Sequence, residues 1–127
     1  MLNKRFRFHS RGGVRYVYKH GKTIRTSKIS LVYTKNTRHY QRFAVVVSKK
    51  VEKTAVKRNR IRRRFYEAIR LYKTENNYTT PVDHIFVIYS KDFLTCDFSE
   101  IQKTVSDLIN QTAGGVARRG APPPPER

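Results

Sequence analysis

The hydrophobic positions of this chain change their spacing several times, and each change marks a predicted element. From Gly13 to His20 the apolar residues recur at intervals of three and four, which predicts a short helix, with Gly21 as the left-handed residue that ends it. Lys22 to Tyr33 is rich in β-branched residues and alternates, as one strand or a pair of strands would. A polar turn over residues 34–38 follows.

The second half of the chain supplies further strands and two longer helices. Phe43 to Val47 is a continuous β-branched run that predicts a central strand covered on both faces, and residues 85–89 predict another buried strand. From about Thr54 the apolar residues repeat at four and three, which predicts a helix with one core-facing stripe. The stripe consists of Ile61, Phe65, Ala68, Ile69 and Tyr72. Ser99 and Gln102 form a capping-box pattern at the start of a last amphipathic helix.

Length and composition favour one domain with tails. The chain has 127 residues and is 38% hydrophobic, which suits a single modest core. Residues 1–112 are predicted to form this domain, with residues 1–10 as an extended arm that Phe6 and Phe8 anchor. Residues 113–127 are rich in Gly, Arg and Pro and predict a disordered tail.

Charge divides the chain into two unequal halves. The net charge is +19, and residues 1–70 hold 22 Lys/Arg against two acids, whereas residues 71–112 hold three against six. The first half therefore favours a polyanionic partner. We expect no membrane partner, because the sequence has no apolar span of membrane length, and the absence of a signal-peptide pattern predicts a cytoplasmic protein. Cys96 is the only cysteine, so no internal disulfide forms, and we expect it to be a packing residue.

The predicted basic helix carries the strongest chemical signal. From Lys49 to Arg70 there are ten Lys/Arg and two acids, and planar guanidinium groups suit phosphate oxygens. A merely solvated helix face is the alternative, but such faces usually alternate charges of opposite sign. Asn59, within this run, offers donor and acceptor groups to RNA, or caps the helix. The pattern favours contact with the phosphates of a polyanion.

The same segment resembles the signature of the bacterial ribonuclease P protein subunit. It reads VSKKVEKTAVKRNRIRRRFYEAIR: a strand that ends in Val-Ser-Lys-Lys, a short loop, and Arg-Asn-Arg at the start of a basic helix. The aromatic and basic residues that precede Gly21 also resemble the end of the family's first helix. The strand over residues 85–89 and the last helix follow in the same order as in the family. Family members usually have a glycine soon after Lys-Lys and a loop one residue shorter. With Glu52-Lys53-Thr54 in that loop, we expect it to bulge and to re-seat the helix start.

The resemblance implies a fold and two RNA-facing surfaces. The implied fold is an α+β sandwich of the ribosomal-protein-like type: a short N-terminal helix, about four strands, a left-handed βαβ crossover through the basic helix, and a C-terminal helix. One surface faces the catalytic RNA, and its residues in this sequence are Lys49, Lys50, Arg58, Asn59, Arg60, Arg62 and Arg63. The other is a cleft for the single-stranded 5′ leader of precursor tRNA, with Tyr18, Tyr33 and Phe43. Core packing is an alternative for Tyr18 and the favoured one for Phe43.

The function that follows from the resemblance is that of a non-catalytic protein subunit. The partners would be the catalytic RNA of ribonuclease P and precursor tRNA, with no DNA, and the RNA would use Mg²⁺ to remove the 5′ leader. A structural ribosomal or RNA-assembly protein is the alternative, and it would not need the tyrosine cleft. An autonomous protein nuclease is disfavoured, because the carboxylates lie in the acidic half and no nucleophile motif or histidine spacing predicts a catalytic or metal site in the protein.

Overall fold

A four-stranded mixed sheet carries helices on both of its faces. The computed structural model describes residues 6–7, 11–36, 40–76 and 81–116. The elements in chain order are α1 (Arg11–His20), β1 (Lys22–Arg25), β2 (Ile29–Lys35), β3 (Arg42–Val47), α2 (Ala55–Asn76), β4 (Val82–Ile88), a short 3₁₀ helix (Lys91–Leu94) and α3 (Phe98–Val116). The predicted α+β class with a four-stranded sheet is confirmed, and the segment from Lys22 to Tyr33 is a pair of strands.

The strand order in the sheet is β1-β2-β4-β3. β2 pairs antiparallel with β4, and β3 pairs parallel with β4, so α2 is the crossover of a βαβ unit. β4 is therefore central and β3 lies at an edge, where the sequence had predicted a central strand. The apolar run of β3 is buried against α2 on one face, where Phe43, Val45 and Val47 lie; on the other face Ala44 is buried and Val46 is only partly buried. Burial of a strand's faces does not reveal its place in the sheet.

The sheet separates two apolar clusters. The larger one lies on the α2 and α3 side and includes the whole predicted stripe of α2, whose five members are buried. The smaller one lies under α1 and joins Val17 to Val32, Ala44 and Ile85. Because successive residues of a strand point to opposite faces, odd and even positions of β2 contribute to different clusters. This alternation decides which side chains face the surface near α1.

Gly21 ends α1 for a reason other than the predicted one. Its φ angle lies outside the left-handed region, so a left-handed cap is not what requires glycine. A Cβ atom at this position would lie 2.5 Å from the carbonyl oxygen of Val17 and 2.7 Å from that of Tyr33. Its amide donates to the Val17 carbonyl at 2.7 Å. Glycine is needed because the end of α1 passes directly against the backbone of β2.

The last helix begins and ends outside its predicted bounds. α3 begins at Phe98, so Asp97 rather than Ser99 precedes the first helical residue. It extends to Val116, into the segment predicted as a tail, and residues 117–127 lie outside the described part. Cys96, just before the helix, packs against the larger cluster as predicted, and burial raises the pKa of its thiol.

The N-terminal arm contacts the domain through its two described residues. Phe6 packs against the larger cluster and meets the Tyr40 ring edge-on, with ring centroids 5.8 Å apart. The Lys73 ammonium lies 3.9 Å from the centre of the Phe6 ring. Arg7 pairs with Phe43 as an isolated parallel bridge on the open edge of β3. Phe8, the other predicted anchor, lies outside the described residues.

Candidate nucleic-acid interface

The N-terminal half of α2 presents its basic residues to solvent because its apolar stripe faces the sheet. The exposed basic residues, including three lysines that precede the helix, are Lys49, Lys50, Lys53, Lys57, Arg60 and Arg63, and Asn59 is exposed among them. Arg58 and Arg62 are partly buried. The first turn of α2 contains no acidic residue. A bound anion would relieve the repulsion among these groups, and the helix N-terminus adds to its attraction.

The loop before α2 is a closed turn that Arg58 holds in place. After β3, the amides of Val51 and Glu52 both donate to the Ser48 carbonyl, at 3.1 and 3.2 Å. The Arg58 guanidinium donates back to the carbonyls of Glu52 and Lys53, at 3.0 and 2.8 Å. Helix α2 then begins at Ala55. The extra residue is thus accommodated in a turn, and part of the donor capacity of Arg58 is used within the protein.

Asn59 lies inside α2 rather than at its start. The helix begins four residues earlier, so Asn59 does not cap it. Its side-chain oxygen accepts a hydrogen bond from Arg62 Nη2, one turn further along. This contact orients the Arg62 guanidinium and leaves the amide NH₂ group of Asn59 directed toward other partners or solvent. Asn59 and Arg62 therefore form one polar unit on the helix surface.

Arg64, one of the ten basic residues counted from Lys49 to Arg70, is a structural residue. Its guanidinium donates to the carbonyl oxygens of Phe93 and Cys96, at 2.7 and 2.5 Å. These carbonyls belong to the connection between β4 and α3. Arg64 therefore fixes that connection to α2.

A groove of about 560 Å³ separates the basic part of α2 from α1. Its floor is the edge strand β3, from Ala44 to Val47, and Val14 of α1 forms one wall. The opposite wall is polar and consists of Asn59, Arg62 and Arg63, with Tyr66 and Arg7 completing the lining. An apolar floor beside a cationic wall is the combination that single-stranded nucleic acids bind, with bases on the floor and phosphates on the wall.

The floor of the groove continues across the sheet. Val46 pairs with Val87, and Val87 pairs with Ser30, so these residues form one row on the α1 side of β3, β4 and β2. Val46 and Val87 are only partly buried. At the far end of the row the Ser30 hydroxyl donates to the Tyr89 hydroxyl at 2.9 Å. The open part of this face thus runs from the α2 arginines to Tyr89.

The three aromatic residues of the predicted cleft do not come together. Tyr18 is 47% exposed on α1, but Tyr33 is only 8% exposed and Phe43 is fully buried. Both buried rings belong to the larger cluster, on the opposite side of the sheet from α1. Phe43 stacks there on His84, with ring centroids 4.5 Å apart. The cleft predicted from Tyr18, Tyr33 and Phe43 is therefore wrong in composition, and of the three only Tyr18 presents its ring to solvent on the α1 side.

Tyr89 is an exposed aromatic residue that the sequence reasoning did not select. It is 46% exposed, follows β4, and interacts electrostatically with Tyr18. Partial burial and this neighbour raise the pKa of Tyr18, so its phenol is neutral at physiological pH. Two half-exposed tyrosines thus stand at the end of the open row. Its position directly after an apolar run was the only sequence signal for Tyr89.

Comparison with known proteins identifies the family. The family model described as Ribonuclease P matches residues 2–113. The chain belongs to this family. A relative from Clostridioides difficile (strain 630), named ribonuclease P protein component, is 37% identical over 77% of this chain and 83% of its own length. Another, of the same name from Borreliella burgdorferi (strain ZS7), is 34% identical over 91% of this chain and 97% of its own length.

Solved structures of ribonuclease P proteins share the fold. A Staphylococcus aureus RNase P protein mutant with defective mRNA degradation activity superposes with a TM-score of 0.72 at 21% identity, covering 84% of this chain and 87% of its own. The RNase P protein from Thermotoga maritima has a TM-score of 0.69 at 23% identity, covering 80% and 93%. These two matches support the α+β fold, and the sequence relatives support the function.

Membership in the ribonuclease P protein family confirms the predicted role as a protein subunit in tRNA processing. The alternative of a structural RNA-binding protein without a role in cleavage is not favoured, because the named relatives are all ribonuclease P protein components. Among the described helices, none combines the length and the apolar character that a bilayer crossing requires.

Proposed function

We propose that this chain binds two RNAs: the RNA subunit of ribonuclease P through the exposed basic surface of α2, and the 5′ leader of precursor tRNA through the groove beside it. The observation that carries the proposal is the groove itself, where Asn59, Arg62 and Arg63 face the apolar floor of β3. One helix thereby serves both surfaces, and the two RNAs meet along it.

The exposed surface suits a folded RNA. Arg60 and Arg63 are exposed on successive turns of α2, with Lys49 and Lys50 in the turn that precedes it. Side chains spaced along a helix in this way contact several phosphates without reading a sequence. Neutralising those phosphates lets segments of RNA approach one another that would otherwise repel.

The groove suits an extended single strand. Its polar wall offers the Asn59–Arg62 unit and Arg63 to the phosphates, and Val46 and Val87 offer an apolar surface to the bases. Tyr18 lies one helical turn from Val14 on α1 and is half-exposed, so its ring is available to stack on a base. None of these contacts requires a particular base, as a subunit acting on many tRNA precursors requires.

Phosphodiester cleavage is assigned to the RNA subunit, which would hold Mg²⁺. Within the described residues, no group of three or more His, Cys, Asp or Glu side chains is placed to hold a metal ion. The proposed role of the protein's own residues is to bind and orient RNA. We place this activity in the cytoplasm.

The test is cleavage of a precursor tRNA at low Mg²⁺ by a bacterial ribonuclease P RNA, with and without this protein. Substrates with a long leader and with no leader are compared. We expect the protein to stimulate cleavage of both, and to stimulate the long-leader substrate more, because only that substrate occupies the groove. Tight RNA binding without any stimulation would overturn the proposal.

Variants of the exposed surface test the binding of the RNA subunit. Arg60→Ala should weaken binding of the RNA subunit. The slope of log affinity against log salt concentration should become shallower by about 0.9 for each phosphate contact that is lost. Lys103→Ala is the matched control, because Lys103 is an exposed cation on α3, in the acidic half of the chain. Equal slopes for both variants would contradict the assignment of this surface to the RNA subunit.

A further inference from the structure

Arg7 lies beside the groove although it belongs to the N-terminal arm, 52 positions before Asn59. Its backbone pairs with Phe43 on the open edge of β3. Its guanidinium carbon lies 5.6 Å from the centre of the Tyr66 ring. The arm thus brings a fixed cation to the end of the groove where the arginines of α2 stand.

The Arg7 side chain has unused hydrogen-bonding capacity. Its Nε atom is buried and has no hydrogen-bond partner among the described residues. A buried donor without a partner costs free energy, because it has lost its contact with water and gained nothing in return. The ring of Tyr66 attracts the guanidinium as a cation but accepts no hydrogen bond in its plane. The charge is therefore held in position with its hydrogen-bonding capacity unfilled.

We infer that Arg7 is a binding residue for a phosphate of the single-stranded leader, which it contacts together with Arg62 and Arg63 of α2. The three residues line one groove and come from both ends of the basic half of the chain. A phosphate supplies acceptor oxygens to the paired N–H donors of the planar guanidinium. This inference rests on the proposed leader-binding function of the groove and adds to it a residue outside the basic helix.

The leader is favoured over the RNA subunit as the source of this phosphate. Arg7 lines the groove above an apolar strand, whereas Lys49, Lys50 and Arg60 of the exposed basic surface do not line it. A folded RNA presents a wide, rigid phosphate surface, and an extended single strand is narrow enough to enter a groove. The two sources predict different dependence on the leader.

A purely structural role for Arg7 is the competing explanation. The residue covers the edge of β3 and packs on Tyr66, and both contacts stabilise the fold without RNA. Arg7→Met separates the two roles: methionine keeps an unbranched apolar stem over the ring and the backbone pairing, and removes the charge. Arg7→Lys keeps the charge and loses the planar fork.

The experiment measures binding of precursor tRNA to the reconstituted holoenzyme as a function of salt, with leader and without leader. With a leader present, holoenzyme that carries Arg7→Met should bind precursor tRNA about tenfold more weakly than wild type. The slope of log affinity against log salt concentration should become shallower by about 0.7. Arg7→Lys should keep the wild-type slope. Without the leader, both variants should bind like wild type. Lys103→Met, which removes an exposed cation on α3, on the face of the sheet opposite the groove, is the control.

Three outcomes would overturn the inference. Wild-type binding by Arg7→Met, with a lowered thermal unfolding temperature, would assign Arg7 a structural role only. Equal loss with and without the leader would assign the contact to the RNA subunit. A loss equal to that of Lys103→Met would mean that Arg7 contributes only through the overall charge of the protein. If the wild-type holoenzyme itself bound both substrates equally, the proposed leader-binding function would fail first, independently of Arg7.

Discussion

Arg64 donates a hydrogen bond from its guanidinium to the carbonyl oxygen of Phe93 at 2.7 Å, and so joins the basic helix to the segment that follows β4. A second bond reaches the carbonyl of Cys96. Arg63, the preceding residue, is exposed and lines the groove. Two adjacent arginines of one helix thus have separate tasks, because a step of one residue turns the side chain by about 100° around the axis.

Arg64→Ala should therefore destabilise the protein and Arg63→Ala should not. Loss of two charge-assisted bonds to buried carbonyls is expected to lower the free energy of unfolding by about 2 kcal/mol. Arg63→Ala should leave it unchanged within about 0.5 kcal/mol and weaken RNA binding instead. Urea unfolding and an RNA-binding titration of both variants measure the two effects. Comparable loss of stability in both variants would contradict this division.

Gly21→Ala should be strongly destabilising, although glycine there does not adopt a left-handed conformation. The added Cβ would lie within 2.7 Å of two backbone oxygens, and neither can move without shifting α1 or β2. We expect a loss of about 2 kcal/mol or more in thermal or urea unfolding. Lys19→Ala, an exposed position of the same helix, is the control. Unchanged stability would mean that the end of α1 is looser than this packing indicates.

His84 should make the protein less stable in mild acid. Complete burial lowers its pKa from 6.5 to about 4, so the folded state keeps the imidazole neutral. As the pH falls below 6.5, the unfolded state takes up a proton that the folded state does not. The free energy of unfolding should therefore fall by roughly 3 kcal/mol between pH 7 and pH 4 from this residue, with no further loss below.

The matched variant for this pH dependence is His84→Phe, which keeps a ring against Phe43 and removes the titrating group. The comparison uses the slope of stability with pH and not the absolute stability, because the variant also loses the contact between Nδ1 and the Arg42 carbonyl. The other ionisable groups are the same in both proteins, so the difference between the two slopes reports His84. Parallel curves for wild type and variant would refute the assignment.

Tyr18 and Tyr33 should respond differently to substitution. Tyr18→Ala removes a half-exposed ring and should weaken binding of precursor tRNA with a leader by about 1–3 kcal/mol, with no effect on a leaderless substrate. Tyr18→Phe should retain the binding. Tyr33→Ala removes a buried ring and should lower the free energy of unfolding by about 3 kcal/mol. If Tyr33→Ala folded stably and lost binding only to the substrate with a leader, Tyr33 would be a leader-binding residue and this assignment would be wrong.

The parts of the fold that follow from local periodicity were predictable. The stripe of α2 is buried as its spacing of four and three requires, and Cys96 packs as expected. The edge position of β3 was not predictable, because its apolar run is nearly as buried as that of the central strand β4. Only the pairing of β4 with both neighbours, which involves residues far apart in sequence, decides that order.

The candidate site shows the same limit at the level of side chains. Alternation along β2 is visible in the sequence, but which set of residues faces α1 depends on the packing of Val17 against Val32. Tyr33 was therefore assigned to the wrong face. Arg64 and Arg63 have the same chemistry, and only the position of the Phe93 carbonyl separates them. Arg7 lies in a segment without periodicity, and the apolar run that includes Tyr89 predicted burial and not an exposed ring.

The central position of β4 has a consequence for the order in which the chain is made. β2 and β3 are not hydrogen-bonded to each other, because β4 lies between them. Of the four strands, β4 is the last to be synthesised, so β3 cannot join the sheet before it. Until residue 88 has been synthesised, the nascent chain already carries most of its positive charge. The segments that carry it cannot yet bury their apolar residues against a complete sheet. During that interval the segments that later bind RNA are unsupported by a finished sheet, and the ribosome that makes them is itself a polyanion.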